Sequence, residues 1–518
     1  MRHLPRDNYN GLTVVLSNPS RFDTHELLSG FAGHFFNTEC LGPHTDRHSC
    51  DIRTTDTQPD GLLPDTKAIL LLGQQALHEW SGKYPNQYKD YSVGEQRGCP
   101  LENKYNIPMI VSYLPQDCMD MKDYEATLNP LLNQHEDEDY EDDTDDSDSV
   151  KHKGKTKRGN YRFWLQRDVW KLLSTVIPGV RATAIKSPYV QPDGAQLGAL
   201  QTTFCPNLST ICATLRSMSG SRLYVDIETD PNFNIRCIGI GYTDTTGFRV
   251  VVIPVVRYDY TFWYSNLALL FAALSIAFSR NEVICHNGFA FDLPFMAWRY
   301  GIQFGRNNYD TMIAHHRCFP EVEKSLGHCG SLWTWESYHK DSGCFEPKNS
   351  EQEQKLWHYN AKDVYVMYLI RESIDRYAAG QIGLQASIEQ GNNVIYAYVM
   401  NTMMGIRVNG DMITKISTEN DAKMTQMLRV CKLLLKRDFL PTSTKQCHQY
   451  FHEQLWYKVM GRSKESNNPS YNDLAMQKLK LAYPDNPMLD LCLMYRQIKK
   501  ETGSLKFQIW NPSHFQKS

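Results

Sequence analysis

The stretch that decides the fold is Tyr224-Val225-Asp226-Ile227-Glu228, in which two acidic residues interrupt an apolar run. Successive side chains of a strand point to opposite faces, so the two-residue spacing places Asp226 and Glu228 on one face. Burying two carboxylates in an apolar strand is costly unless a cation compensates their charge. The pattern therefore indicates either a cation site on a buried strand or a strand end that is exposed to water.

Two further acidic pieces follow this strand. In residues 285–294 a short apolar strand ends, and Asp292 comes in the first turns of a predicted helix. In Tyr359-Asn360-Ala361-Lys362-Asp363 the four-residue spacing puts a phenol and a carboxylate on one helical face. Four carboxylates and a tyrosine suit phosphodiester hydrolysis in which paired cations stabilise the attacking and leaving oxygens. Oxygen-only ligands favour two Mg²⁺ or Mn²⁺ ions over zinc.

In this scheme each candidate catalytic residue has its own role. Asp226 bridges the two ions, and Asp292 supports the second one. Glu228 and Asp363 complete the site that activates a water molecule, and Tyr359 orients that water. Asn287, which precedes Asp292, is a candidate nucleic-acid contact; it either helps to order this piece of chain or is a turn residue.

The residues around the acidic strand predict a mixed sheet with helices on its faces, in an α/β multi-domain chain. The predicted strands are residues 223–227, 235–242, 249–255 and 283–285, and the predicted helices are residues 262–278 and 357–377. Upstream, strands at residues 12–16, 68–72 and 109–113 and helices at residues 73–80 and 161–173 predict a smaller α/β domain. From Leu384 onward the pattern is mostly helical. We therefore expect domains at residues 1–185, 205–380 and 381–518.

Residues 135–159 contain almost no apolar side chains and switch from acidic to basic, which predicts a disordered insertion or a DNA-mimicking, partner-binding segment. The net charge is −3; without the ten acidic residues of this tract it is −3 + 10 = +7, and without the five adjoining cations as well it is +7 − 5 = +2. Overall charge therefore neither proves nor excludes DNA binding.

The remaining bulk features predict a cytoplasmic protein. The fourteen cysteines lack the regular spacing of a disulfide framework, which is typical of reduced thiols. The first twelve residues do not resemble a secretory signal. The longest apolar run, residues 267–278, is shorter than the roughly 18 residues of a membrane span, so no membrane partner is expected.

Taken in order, Asp226-x-Glu228, Asn287-x-x-x-Phe291-Asp292 and Tyr359-x-x-x-Asp363 resemble the three motifs of the DEDDy exonucleases. Asp310-Thr311-Met312, followed by a helix, is similar to the stretch between the second and third motifs. The resemblance implies a ribonuclease H-like fold and the removal of nucleotides from single-stranded or frayed 3′ ends of DNA. Its alternatives are an RNA-processing exonuclease of the same type and a non-catalytic clamp that binds a primer-template.

The C-terminal part resembles the thumb of family A DNA polymerases. The similar segments are Met403-Met404-Gly405-Ile406-Arg407-Val408-Asn409, Pro441-Thr442-Ser443-Thr444-Lys445-Gln446, Pro469-Ser470-Tyr471 and Tyr495-Arg496-Gln497-Ile498-Lys499. The resemblance makes Lys445 and Arg496 candidate phosphate contacts, which would bind DNA in a salt-sensitive, sequence-independent way. Because the sequence reaches Ser518 without palm or fingers motifs, we expect a partner subunit that carries them, or a truncated product.

The N-terminal part resembles the uracil-DNA glycosylase fold that precedes the exonuclease in some phage family A polymerases, which would place the protein in the host cytoplasm. The similar segments are Leu16-Ser17-Asn18-Pro19, Ile69-Leu70-Leu71-Leu72-Gly73-x-x-Ala76, Arg97-Gly98 and Val111-Ser112-Tyr113-Leu114-Pro115. Leu114 stands where the glycosylases have a histidine. The sequence therefore predicts a structural or DNA-holding domain without base excision.

Overall fold

The computed structural model describes residues 2–5, 8–17, 27–28, 34–42, 44–55, 62–83, 91–118, 158–184, 201–337, 339, 343–405, 407, 409–462 and 469–504. The chain forms two compact units, one within Met1–Met403 and one within Met404–His514. The insertion predicted at residues 135–159 lies outside the described residues except for its last two. Those two are helical, because the following helix already begins at Arg158.

The first unit contains two sheets, of which the N-terminal one has five strands. These are β1 (Arg2–His3), β2 (Leu12–Leu16), β3 (Asp51–Thr54), β4 (Ala68–Leu72) and β5 (Met109–Ser112). Their spatial order is β1-β3-β2-β4-β5, and all neighbours are parallel except β1 and β3. Unbroken apolar runs such as β4 are typical of parallel strands covered on both faces. The strands predicted at residues 12–16 and 68–72 are confirmed at both ends.

Among the described residues, the helices that accompany the N-terminal sheet are α1 (Gln74–Ser81), α2 (Val93–Gln96) and α3 (Arg158–Val176). Shorter helical turns lie at Phe36–Leu41, Arg47–Ser49 and Pro115–Cys118. Helix α3 buries Leu165, Val169 and Leu172 in the core of this sheet, as expected for the helix predicted at residues 161–173. Its Trp164 instead packs in the core beside the second sheet, so α3 joins the two halves of the unit.

The second sheet is the mixed sheet that the sequence predicts. Its strands are β6 (Gln201–Phe204), β7 (Arg222–Thr229), β8 (Ile235–Asp244), β9 (Gly247–Pro254), β10 (Glu282–Cys285) and β11 (Asn308–Asp310). They are ordered β11-β10-β7-β8-β9-β6. The pairs β7–β8 and β8–β9 are antiparallel, and the other neighbours are parallel. Strand β7, which carries the acidic pair, is therefore central and buried.

In the described part of the chain, seven helices lie around this sheet. They are α4 (Leu208–Ser217), α5 (Leu267–Arg280), α6 (Asp292–Tyr300), α7 (Thr311–Cys318), α8 (Leu326–Trp333), α9 (Ser350–Ala379) and α10 (Leu384–Met404). The helix predicted at residues 262–278 begins only at Leu267. Phe262 is held in a β-bridge with Val256, and the Asn266 side chain caps the helix by accepting from the Leu269 N–H group.

The second unit is helical, as the sequence predicts. Its helices are α11 (Gly410–Leu435), α12 (Thr444–Cys447), α13 (Asp473–Ala482) and α14 (Pro487–Ser504), with a π-helical segment at His448–Gln454. Phe451, Met476 and Leu489 are among the residues that form its core. In the described part of the chain, no helix is both long and apolar enough to cross a membrane.

Candidate active site

Strand β7 presents the two acidic side chains from the middle of the second sheet. Asp226 lies opposite Gly239 and Glu228 opposite Cys237 in the antiparallel ladder with β8. Carboxylate oxygens of Asp226, Glu228 and Asp363 lie within 4.8 Å of one another, and all three residues are buried. The strand and the helix α9 therefore bring together three of the four predicted metal ligands.

Helix α9 approaches the sheet closely because strand β8 carries glycine where the two meet. A Cβ atom on Gly239 would lie 2.8 Å from Val364 Cγ2 and would press on the Asn360 side chain. A Cβ atom on Gly241 would lie 2.7 Å from Val364 Cγ1. Since carbon atoms do not approach to such distances, the two glycines set the depth of α9, and so the position of Asp363 against β7.

Asn360 is a site residue that the sequence reasoning missed. Its side chain is fully buried, and its Nδ2 group donates hydrogen bonds to Asp226 Oδ2 at 2.7 Å and to the Asp226 carbonyl oxygen at 3.2 Å. A bond from an amide to a carboxylate is charge-assisted and fixes the carboxylate's orientation. The sequence signal that could have revealed it is a polar residue directly after Tyr359, in a part of α9 whose neighbouring residues are buried.

Asp292 lies next to the three converging carboxylates without being one of them. It is the first residue of α6 and is 4% exposed. Its Oδ1 atom accepts a 3.0 Å hydrogen bond from the N–H group of Ile227, the residue between Asp226 and Glu228. The structure thus places the second predicted motif against the backbone of the first.

Asn287 forms the turn that leads into α6. Its backbone is left-handed, with φ of 59°, and its carbonyl oxygen accepts from the N–H groups of Ala290 and Phe291. Its own N–H group donates to Asp310 Oδ1 at 2.9 Å. Of the two alternatives that the sequence left open, this geometry is that of a turn residue, and a contact of Asn287 with nucleic acid stays a prediction.

Asp310 organises the same turn from the end of β11. Besides Asn287, it accepts from the N–H group of Met312, which caps helix α7. Burial raises the pKa of Asp310 to about 6, although these backbone hydrogen bonds oppose the rise. Its role is therefore to hold backbone N–H groups in the segment before α6.

Tyr359 is buried beside the acidic cluster. Burial raises the pKa of its hydroxyl far above the ordinary value, and the neighbouring carboxylates of Asp363, Glu228 and Asp226 raise it further. The side chain is therefore a phenol at neutral pH. It can donate a hydrogen bond, but it cannot take a proton from water as a phenolate.

His339 is a second site residue that the sequence did not reveal. Its Nε2 atom lies 2.6 Å from Asp363 Oδ1, and its ring centroid is 5.7 Å from that of Tyr359. Nearby, Lys362 forms a buried ion pair with Glu336. The ammonium group adjacent in sequence to Asp363 is thus paired with a different carboxylate. No local pattern could predict contacts between residues more than twenty positions apart.

The donor set of this cluster fits a divalent cation. Three buried carboxylates within one small volume repel one another, and removing them from water is costly without a compensating positive charge. Their ligand atoms are all oxygens, which suits Mg²⁺ or Mn²⁺. Asp226, Glu228 and Asp363 are the residues that would hold such an ion, with Asp292 close to them.

The two predicted DNA contacts in the second unit have different surroundings. Lys445 is exposed on helix α12. Arg496 is only 11% exposed, and its Nε and Nη2 groups donate to the Pro441 carbonyl oxygen at 3.0 and 2.9 Å. It also contacts the Tyr471 carbonyl oxygen. The guanidinium group of Arg496 therefore ties loops of this unit together, and phosphate contacts by both residues stay predictions.

Among solved structures, the similarity to this chain is distant. No protein-family model matches the chain, and no curated protein matches it. The chain is similar to the solved structure of the POL domain of Pol1 from M. smegmatis in complex with DNA primer-template and dNTP, with 15% sequence identity and a TM-score of 0.43. The match covers 58% of this chain and 49% of that chain, about half its length. A similarity this distant assigns no function, which has to be inferred from the residues of the site.

Proposed function

We propose that this chain is a metal-dependent 3′-to-5′ DNA exonuclease of the DEDDy type, built on a ribonuclease H-like domain. The convergence of the buried carboxylates of Asp226, Glu228 and Asp363 within 4.8 Å carries the proposal. These residues come from the first and third motifs, which are 135 positions apart (363 − 228 = 135). Asp292, from the second motif, accepts a hydrogen bond from the backbone N–H group of Ile227, which lies between the first two acids. The mixed six-stranded sheet supports the same assignment.

In this proposal, different residues of the site have different roles in phosphodiester hydrolysis. When bound, two Mg²⁺ or Mn²⁺ ions would stabilise the charge on the attacking and leaving oxygens. Asp226, Glu228, Asp292 and Asp363 would hold these ions. Asn360 fixes the orientation of Asp226 through its 2.7 Å hydrogen bond, so this carboxylate is held in place before any ion binds.

Tyr359 acts in this proposal as a hydrogen-bond donor. Its raised pKa keeps the hydroxyl protonated, so it orients the attacking water instead of deprotonating it. The carboxylates of Glu228 and Asp363 lie beside it and can accept a proton. This assignment separates positioning by Tyr359 from proton transfer to the acidic residues.

We further propose that the exonuclease is the editing part of a family A DNA polymerase. Three of the thumb-like segments, residues 441–446, 469–471 and 495–499, lie in the helical second unit, where Lys445 is exposed and available to a phosphate. The N-terminal sheet would serve as a structural domain. Leu114 is nearly buried there, and a Cβ atom on Gly73 would lie 2.9 Å from its Cγ atom. An apolar, closely packed side chain at this position supports the absence of base excision.

The proposal is tested by digesting single-stranded DNA that carries a label at its 5′ end, with Mg²⁺ and the full chain. We expect a descending ladder that EDTA abolishes, and slower or no digestion of the matching RNA. Asp226→Ala should abolish cleavage while DNA binding persists in Ca²⁺, measured by fluorescence anisotropy. Asp259→Ala, which removes an exposed carboxylate outside the site, is the matched control and should cleave normally.

The other outcomes favour named alternatives. Equal or faster digestion of RNA would favour an RNA-processing exonuclease. DNA binding without any digestion would favour a non-catalytic primer-template clamp. Full nuclease activity in Asp226→Ala would show that the assigned site is wrong. Release of the 5′ label as a mononucleotide, without a descending ladder, would refute the 3′-to-5′ direction.

A further inference from the structure

A short segment between α8 and α9, described at residues 334–337 and 339, connects the N-terminal domain with the acidic cluster. The N-terminal domain here means the five-stranded sheet with helices α1, α2 and α3. Trp335 follows α8 in sequence, but its side chain is buried in the core of the N-terminal sheet, together with Leu165 and Val169 of α3. The Lys171 Nζ atom of α3 lies 5.0 Å from the centroid of the Trp335 ring. This end of the segment is thus packed against the N-terminal sheet of the first unit and not against the sheet that carries Asp226 and Glu228.

Lys171 fixes the backbone of the same segment. Its ammonium group is buried and donates hydrogen bonds to the carbonyl oxygens of Ser331, at 2.9 Å, and of Gly98 and Thr334. A buried ammonium group with three backbone acceptors is held in one position, because moving it would leave a desolvated charge without partners. Lys171 therefore joins a loop of the N-terminal domain to the end of α8.

A second buried cation strengthens this junction. Arg97 donates to both carboxylate oxygens of Asp168 at 3.2 Å and to Ser331 Oγ at 2.8 Å. Ser112, at the end of strand β5, donates to Asp168 Oδ2 at 2.7 Å. The contacts with Ser331 thus reach back to a strand of the N-terminal sheet.

The other end of the segment touches the site. Glu336 is next to Trp335 and forms the buried ion pair with Lys362. Three residues later, His339 lies 2.6 Å from Asp363 Oδ1. Glu336 and His339 thus both contact helix α9 at or beside the carboxylate that the site requires.

We propose that the N-terminal domain positions Asp363 through residues 334–337 and His339, with Lys171 as the residue that anchors this segment. The inference rests on the proposed function, for which Asp363 is a metal ligand. Displacements of half an ångström in a ligand or its supporting residues are enough to impair a site of this kind. The N-terminal domain is then a part of the nuclease, and Lys171 is a positioning residue that does not touch the substrate.

The test compares Lys171→Met with Arg162→Met in the full chain. Methionine keeps an unbranched side chain, one heavy atom shorter than that of lysine, and removes the three hydrogen bonds of Lys171. Arg162 lies on the same helix, forms an exposed ion pair with Glu39 and lies over the Phe35 ring, so its variant removes a cation without reaching the segment. For Lys171→Met we expect kcat on single-stranded DNA to fall about tenfold, with KM for DNA within twofold of wild type. Arg162→Met should match wild type in both.

Two further measurements make the test independent of nuclease activity. Hydrogen–deuterium exchange of the peptide covering residues 331–337 should be at least tenfold faster in Lys171→Met than in wild type. Mn²⁺, titrated by calorimetry, should bind at least fivefold more weakly. If the wild-type chain does not digest DNA, the proposed function fails, while these two measurements still decide whether the N-terminal domain holds the segment.

The inference is overturned if Lys171→Met is folded and retains wild-type kcat, exchange and Mn²⁺ affinity. Lys171→Met could lose activity only because the whole protein unfolds, which a melting temperature below the assay temperature would show. In that case the test is repeated with Trp335→Leu. This second variant keeps an apolar side chain in the N-terminal core and removes only the aromatic ring. Unchanged kcat and exchange in a folded Trp335→Leu protein would likewise refute the proposal.

Discussion

Replacing Asn360 with leucine should separate catalysis from stability at this site. The two side chains have similar size, so the change removes two hydrogen bonds to Asp226 without opening a large cavity. Asn360 Oδ1 is buried and has no hydrogen-bond partner among the described residues. Removing an unsatisfied oxygen offsets part of the stability lost with the two donated bonds.

The expected loss of activity follows from the bond to the Asp226 carboxylate. This bond is 2.7 Å long and charge-assisted, and such bonds contribute about 1.5 to 3 kcal/mol. At about 1.4 kcal/mol for each factor of ten, its loss lowers kcat roughly 10- to 100-fold if Asp226 must be oriented for the reaction. We expect KM for DNA to change little, because Asn360 is fully buried and cannot touch the substrate.

The assay is single-turnover digestion of 5′-labelled DNA, accompanied by denaturant unfolding of the same samples. Asn420→Leu is the matched control, since Asn420 is also a buried amide and donates to Thr502 Oγ1 at 3.2 Å in the second unit. It should lose stability and retain its cleavage rate. The reasoning is refuted if Asn360→Leu cleaves at the wild-type rate, or if both variants lose activity in proportion to their stability.

Three further predictions test other contacts. Tyr359→Phe should lower kcat roughly tenfold, the order expected for one lost hydrogen bond, and leave the pH–rate profile unchanged between pH 6 and 9, because the Tyr359 hydroxyl does not titrate there. Gly239→Ala should cost about 1 to 3 kcal/mol of unfolding free energy through overpacking against α9, and should also slow cleavage; a wild-type melting curve would contradict the packing. His315 accepts a hydrogen bond from Trp333 Nε1, and burial lowers its pKa to about 4. The His315 imidazole is protonated near pH 6.5 in the unfolded chain but only near pH 4 in the folded chain. The free energy of unfolding should therefore fall by up to roughly 3 kcal/mol as the pH drops from 6.5 to 4. Urea titrations of His315→Gln should lack this pH-dependent loss.

The sequence predicts best those parts of the fold that local patterns determine. The buried strands β2 and β4 are apolar over their whole length and are bounded by turn residues, so their ends agree with the prediction. Strands β6 and β11 were not predicted, because they are short and alternate or mix polar with apolar residues. Their conformation depends on pairing with β9 and β10, which are far away in sequence.

The candidate site divides in the same way. The spacing of Asp226 and Glu228 along a strand, and of Tyr359 and Asp363 along a helix, is enough to predict that each pair shares a face. The contacts of Asn360 with Asp226 and of His339 with Asp363 join different elements, and nothing in a local pattern determines them. These two contacts can be recognised only once the position of α9 against the sheet is known.

Different elements hold the acidic residues of the site before any ion is bound. An amide on α9 holds Asp226, a backbone N–H group of β7 holds Asp292, and an imidazole outside both elements contacts Asp363. Meanwhile the ammonium group of Lys362 is paired with Glu336, which keeps this cation from neutralising the neighbouring carboxylate. A site that is already ordered loses little conformational freedom when it binds a ligand. Uncharged donors orient Asp226 and Asp292, and the Lys362 ammonium group is bound by Glu336. The carboxylates are therefore ordered without losing their negative charge, which is the condition for binding a divalent cation tightly.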